Sequence, residues 1–305
     1  MKPGAVNPAV SLTVAARLRA AASGDSRPVR TSLVRPPGGG VAGGFTLIEL
    51  LVVIAIMAVL AAITVPAFKN IRQEDAFTAA SRQLLDDVAG ARQYAIAHRT
   101  TVYMIFCPPN FWNDPAFPPA AWPQFARRTN LFEKQFVGYT FATLRSVGDQ
   151  PGRTSPRYLS DWRALPEGTF IPPWKFIPPT MFQRITDPST GRFFDVYGFA
   201  TTNIIPFPTE DTPPVGGRYV TLPYIAFNYL GQLTLDGVNP AGRDEFIPLA
   251  RGAIIFARDD TKTPQAVVPT VEERPPGNST NAFNLIHIDW LTGRARVERQ
   301  QIGGS

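Results

Sequence analysis

The sequence predicts an α+β protein: a long N-terminal α-helix, membrane-spanning in its first half and amphipathic in its second, packed on an antiparallel β-sheet or sandwich domain with long proline-rich loops. Three observations predict it. An apolar run occupies residues 45–68 behind a basic tail. Apolar residues then recur at threes and fours through 74–99. From residue 100 the pattern changes to short β-branched and aromatic segments between loops that hold much of the chain's 31 prolines. The expected organisation is a basic, disordered leader at 1–44, an apolar helix at 45–68, its amphipathic continuation at 69–99 and a β-rich globular domain at 100–305.

The tail comes first. Lys2, Arg17, Arg19, Arg27, Arg30 and Arg35 against Asp25 give it +5 of the chain's net +6, leaving +1 for 45–305. The basic character is therefore confined to the tail. No basic stripe remains for phosphate, and nucleic acid is not an expected partner. The string PPGGGVAGG before the apolar run reads as loop.

In the apolar run, residues 50–65 carry no charge, and 45–68 is interrupted only by Thr46, Glu49, Thr64 and Pro66. A helix of about 20 apolar residues crosses a bilayer. The basic tail places 1–44 in the cytoplasm and the rest of the chain outside. A secretory signal has a shorter apolar core, about 7–15 residues. A plain anchor fits the length but gives Glu49 no task. An ionisable group in a spanning helix is costly and usually partnered; the other reading of Glu49 is a carboxylate that snorkels to the interface.

Gly43-Gly44-Phe45-Thr46-Leu47-Ile48-Glu49 closely resembles the prepilin processing motif of pilins and pseudopilins. The resemblance implies a prepilin peptidase that cuts after Gly44 on the cytoplasmic side and N-methylates the new first residue, Phe45. It implies filament partners, other pseudopilins or pilins, and contact with inner-membrane lipid, with the C-terminal domain periplasmic. Pro66 falls where the family commonly has a proline and is expected to kink the helix without ending it. Cleavage frees an α-amine with a reference pKa near 8. That cation and Glu49 of a neighbouring subunit would neutralise each other in hydrocarbon, where an unpaired charge is costly. The family's leader is often short, with a base beside the glycine; here it is 44 residues long and the nearest base is Arg35.

The helix continues past the membrane. Phe77, Ala80, Leu84, Val88, Ala91 and Ala95 form one apolar face, with Arg82, Asp86, Asp87, Arg92 and Gln93 elsewhere. This face is read as packing on the globular domain. Strands are expected at 100–106, 136–144, 192–200, 218–222, 224–230, 252–257, 283–290 and 294–298, the last two joined by a hairpin turning at Thr292-Gly293. Proline-rich loops fill 108–123, 166–179, 206–214 and 264–276, and no later helix is expected. The junction LLDDVAGARQYAIAHRTTVYMIF is similar to that of H-type minor pseudopilins and FimT-like pilins, although 108–215 holds more loop than that group has. The implied function is a structural subunit, a minor pseudopilin of a type II secretion system; the alternatives are a minor type IV pilin for adhesion, motility or DNA uptake and, from another class, a membrane-anchored enzyme or binding module.

Catalytic chemistry finds little footing. Ser160-Asp161, Asp259-Asp260 and Glu272-Glu273 lack supporting motifs, and Asp259-Asp260-Thr261-Lys262 reads as a solvated turn. No phosphate-binding glycine loop is present. No enzyme activity, cofactor or metal is expected; His98 and His287 are far apart without ligand spacing. Cys107 reads as a small buried hydrophobe. Asn278-Ser279-Thr280 matches a glycosylation acceptor by chance frequency. The loop carrying Phe111, Trp112, Phe117, Trp122 and Phe125 reads as a mini-core over the sheet or as an exposed contact surface.

Overall fold

The computed structural model describes residues 46–114, 129–145, 155–206 and 219–300, without the side chains of 63–74 and 129–130. The leader, Gly44, Phe45, the aromatic residues Phe117, Trp122 and Phe125, and most of the 206–214 loop lie outside them.

Helix α1 (Leu47–His98) is one continuous element that runs through position 66. The strands that follow are β1 (Val102–Phe106), β2 (Gly138–Thr143), β3 (Arg157–Tyr158), β4 (Arg163–Ala164), β5 (Thr169–Phe170), β6 (Phe182–Thr186), β7 (Phe193–Tyr197), β8 (Ile204–Pro206), β9 (Tyr219–Thr221), β10 (Tyr224–Phe227), β11 (Leu233–Thr234), β12 (Glu245–Ile255), β13 (Thr270–Glu273), β14 (Asn284–Ile288) and β15 (Ala295–Arg299). One sheet has the order β11-β10-β1-β2-β3, with β4 also on β2. The other has the order β13-β12-β14-β15, with β5 on β12. Two ribbons, β6-β7 and β8-β9, complete the set. The pairings are antiparallel.

The periodic face of α1 is the centre of the molecule's core. Ala80, Leu84, Val88 and Ala95 are fully buried and Ala91 nearly so. Val102, Met104, Phe106, Tyr139, Phe141, Ile225 and Phe227 of the first sheet meet them, as do Ile247, Leu249, Ile286 and Ile288 of the second. Strand alternation explains the first set. In β1, Val102, Met104 and Phe106 face this core while Tyr103 and Ile105 face a second cluster with Tyr224, Ala226, Leu222 and Ile205. Beyond the second sheet, Ile185, Phe194 and Val196 of the β6-β7 ribbon close over Phe246 and Leu285.

Polar ties fix the helix azimuth. The Asn284 amide donates to Ser81 Oγ at 2.8 Å, and Ser81 Oγ donates to the Phe77 carbonyl at 2.9 Å. Gln83 donates to Tyr139 Oη at 2.6 Å and to the Ala164 carbonyl at 3.0 Å. Tyr139 Oη donates to Asp87, which Arg163 also pairs. At the far end, Arg92 Nε reaches the Thr292 carbonyl at 2.6 Å. Thr292 sits in the β14-β15 hairpin, where Gly293 takes φ 63°; a Cβ there would lie 2.0 Å from the Gly231 carbonyl oxygen.

Six of the eight expected strands contain an observed one; β15 overlaps 294–298 and ends one residue later at Arg299, and β12 begins at Glu245, seven residues before the expected start at 252. Pro248 argued against a strand there, since proline cannot donate to a ladder. It is tolerated because, among the described residues, β12 pairs over 245–249 with β14 alone. Two segments expected to be loops hold short strands, β5 within 166–179 and β13 within 264–276. Two and four residues are too few to print an alternating pattern. Four-residue helical turns at Thr129–Phe132 and Asn278–Asn281 correct the expectation of no later helix.

One ion pair is deeply buried. Lys175 has no exposed surface and Glu245 is 6% exposed. Lys175 Nζ donates to the Glu245 carboxylate and, at 2.5 Å, to the Tyr197 carbonyl, and lies 4.4 Å from the Phe199 ring centroid. Burial holds the ammonium below the usual lysine range, opposed by Glu245. Removing one partner of such a pair leaves a stranded charge, worth about 3–5 kcal/mol, whereas apolar replacement of both is often near neutral. Lys175→Met is therefore expected to lower unfolding free energy by about that amount, and Lys175→Met with Glu245→Leu to recover most of it. Urea denaturation of the detergent-solubilised chain measures both; a double variant as unstable as the single one refutes the stranded-charge account. By the same measurement, Leu84→Asp is expected to cost several kcal/mol through an unpaired buried charge. An unchanged midpoint for Leu84→Asp would show that the stripe is not core.

Candidate functional site: the head of the N-terminal helix

Four residues before position 50 build the start of α1. Thr46 lies just outside the helix, and its hydroxyl accepts the Glu49 backbone N–H at 3.3 Å. The Leu50 N–H bonds the Thr46 carbonyl at 3.2 Å, the first helical bond. Thr46 is thus an N-cap, a residue that satisfies one of the orphan donors at a helix start. Thr-x-x-Glu is the capping-box spacing. The spacing is local in the sequence, where Glu49 reads as a membrane acid and Thr46 is given no capping role. Glu49 sits in the first turn, exposed, where the helix dipole favours a negative charge.

Beyond Glu49 the surface is apolar. Every large apolar side chain from Leu47 to Leu60 is exposed, Leu47 by 82% and Met57 by 65%. Soluble surfaces rarely carry a contiguous apolar patch of such extent without a partner. Among the described residues no helix is long and apolar enough to cross a membrane. The membrane span expected at 45–68 is therefore not shown among them. Of the other residues singled out in this segment, Gly44 and Phe45 are outside the described residues, and Pro66 lies within α1 with its side chain outside them.

The remaining polar candidates fall on separate elements of the globular part. Asp259 accepts the N–H groups of Thr261 and Thr263 at 2.9 and 2.8 Å, and Thr261 and Thr263 are the next residues of a solvent-exposed turn. Those bonds, led by the Thr261 hydroxyl, hold its carboxyl below the usual range. Glu273 accepts from Ser279 N at 3.1 Å and Ser279 Oγ at 2.6 Å. Asn278 and Ser279 of the acceptor-like triplet are buried in that contact. Ser160 and Asp161 lie between β3 and β4. Cys107 is buried, and burial pushes its thiol well up. Phe111 and Trp112 pack on Phe132 with ring centroids 5.6 and 5.4 Å apart, so the described part of the aromatic loop is a mini-core over the first sheet.

His287 has partners that sequence reading missed. Its Nε2 is 2.8 Å from Asp244 Oδ2, its Nδ1 is 3.2 Å from Glu298 Oε1, and its ring stacks on Phe246 with centroids 4.6 Å apart. Glu298 also takes Arg296 at 2.7 Å. Burial raises the Glu298 carboxyl, but bonds from Arg296 and His287 prevail and hold it below its ordinary range. Glu298 faces His287 through the β14-β15 register, which pairs Leu285 with Glu298 and His287 with Arg296. Asp244 also accepts the Trp290 N–H at 3.0 Å. The arrangement clasps the start of β12 to the β14-β15 hairpin. Among the described residues, no group of three or more His, Cys, Asp or Glu side chains could hold a metal ion.

No curated protein and no solved structure matches the chain. Residues 41–65 match the family model described as the prokaryotic N-terminal methylation motif, and the head of α1 lies inside that match. The motif marks prepilin-type pilin and pseudopilin proteins, and the resemblance of this chain to them rests on that segment, residues 41–65 of 305.

Proposed function

We propose that the chain is a non-enzymatic structural subunit, a minor pseudopilin of a type II secretion system. In this reading it is held in the inner membrane by 45–68, with its N-terminus cytoplasmic and its β-rich domain periplasmic. A prepilin peptidase removes the leader after Gly44 and methylates Phe45, and the mature chain then joins other pseudopilins through its N-terminal helix. The observation that carries the reading is the methylation motif at 41–65, placed at the head of a helix whose first turns are apolar on all sides. The later turns support it, because their apolar face packs on the two sheets. The Glu49 carboxylate is the assembly determinant: it neutralises the α-amine of Phe45 on a neighbouring subunit.

Mass spectrometry of the membrane-extracted chain, expressed with a prepilin peptidase, is expected to find N-methyl-Phe45 as the first residue. An intact Met1 terminus, or a cut near Ala61-Ala62, would sink the processing account. Gly44→Val is expected to block the cut, because a branched side chain crowds the peptidase site. Glu49→Val is expected to leave insertion and cleavage intact and to abolish crosslinking to fellow subunits, since the amine loses a counter-charge worth a few kcal/mol in hydrocarbon. Wild-type crosslinking by Glu49→Val, at equal membrane level, would make Glu49 an interfacial residue only. Deletion of the chain is expected to stop protein secretion while leaving pili in place; the converse outcome assigns the subunit to a pilus.

A further inference from the structure

A second feature lies where α1 ends against the first sheet. Tyr94, His98, Thr100, Thr143, Arg145, Arg157 and Leu159 line a concave cavity of about 180 Å³. Its lining brings two guanidinium groups and an imidazole together, and no carboxylate of the described residues lines it. Sheet register makes the juxtaposition: Thr143 of β2 pairs with Arg157 of β3, and Arg145 follows two residues on. The backbone of Arg145 is held from both sides. Thr100 Oγ1 and Thr143 Oγ1 donate to its carbonyl at 2.8 and 2.6 Å. On the opposite wall, Tyr94 and His98 stack at 3.8 Å between centroids, and His98 Nδ1 lies 3.1 Å from the Tyr94 carbonyl.

Exposed arginines are ordinarily solvated singly and do no work. Here two like charges share one concavity, and concave walls of low dielectric strengthen the field that an anion feels. Arginine also presents a planar fork of donors that fits a carboxylate or a phosphate. We infer that this cavity is a binding site for a single oxyanion group, with Arg145 and Arg157 as its ligands. The proposal is independent of the assembly reading: it rests on the cavity and not on the N-terminal motif.

The test is isothermal titration of the full chain in detergent with inorganic phosphate and, separately, with N-acetylglutamate. Saturable binding of either is expected, weakened at least tenfold in Arg145→Gln and in Arg157→Gln, with circular dichroism unchanged. Tighter binding of phosphate would point to a free anion as the natural occupant, and tighter binding of N-acetylglutamate to an acidic side chain of a partner protein; both support the site. Equal binding by wild type and the two variants overturns it. A third variant guards against self-occupancy by Asp149, an acid of the chain outside the described residues. If wild type binds neither probe and Asp149→Asn binds one, the cavity serves the chain's own carboxylate and the external ligand is refuted. Absence of binding in wild type and in Asp149→Asn alike also refutes it.

Discussion

Five side chains of α1, Ala80, Leu84, Val88, Ala91 and Ala95, lose nearly all contact with water, and the arrangement of both sheets depends on that burial. Three of the five are alanines, which let the sheets approach the helix backbone closely; Leu84 and Val88 supply the volume that fills the space between them. Fully burying one such aliphatic side chain is worth about 1.5–3 kcal/mol. The two sheets share no strand, so the stripe is what brings Met104 and Ile225 of one into the same cluster as Ile247 and Ile286 of the other. The same helix therefore meets two environments. Its last turns are sided, with one apolar face; its first turns are apolar on every side.

Around that core the polar groups act as locators. Asn284 on Ser81, Gln83 on Tyr139, and Arg163 with Tyr139 on Asp87 join α1 to β14, β2 and β4. Half-exposed pairs such as Arg163 and Asp87 add little net energy. They make a rotated helix leave buried donors and acceptors unmet, which is expensive. Lys175 and Glu245 do the same between the 3-10 turn Pro173–Phe176 and the start of β12.

The helix stripe and the methylation motif were legible in the sequence because each is written locally, one as a periodicity and one as a contiguous motif. The central strands were legible for the same reason: 102–106 and 224–227 are dense in β-branched and aromatic residues. What was not legible is contact between distant positions. Nothing near Lys175 announces Glu245 seventy residues later, and nothing near His287 announces Asp244. Arg145 and Arg157 look like unrelated surface bases until β2 and β3 align them. The two-residue strands β3, β4 and β5 exist because a neighbour pairs with them, and they carry no pattern of their own.

Strand β1 is dry on both faces, with Met104 under α1 and Ile105 under the second cluster. Its two edges are also occupied, by β2 and β10. Its amides consequently have no local route to solvent: a hydrogen can exchange there only when the helix, the neighbouring strands and the outer cover come apart together. Such amides report the free energy of the whole domain's opening rather than of any part. The tip of the β14-β15 hairpin, with Leu291 exposed, belongs to the opposite end of that scale. The domain is thereby built with a slow-exchanging axis at β1 and faster margins.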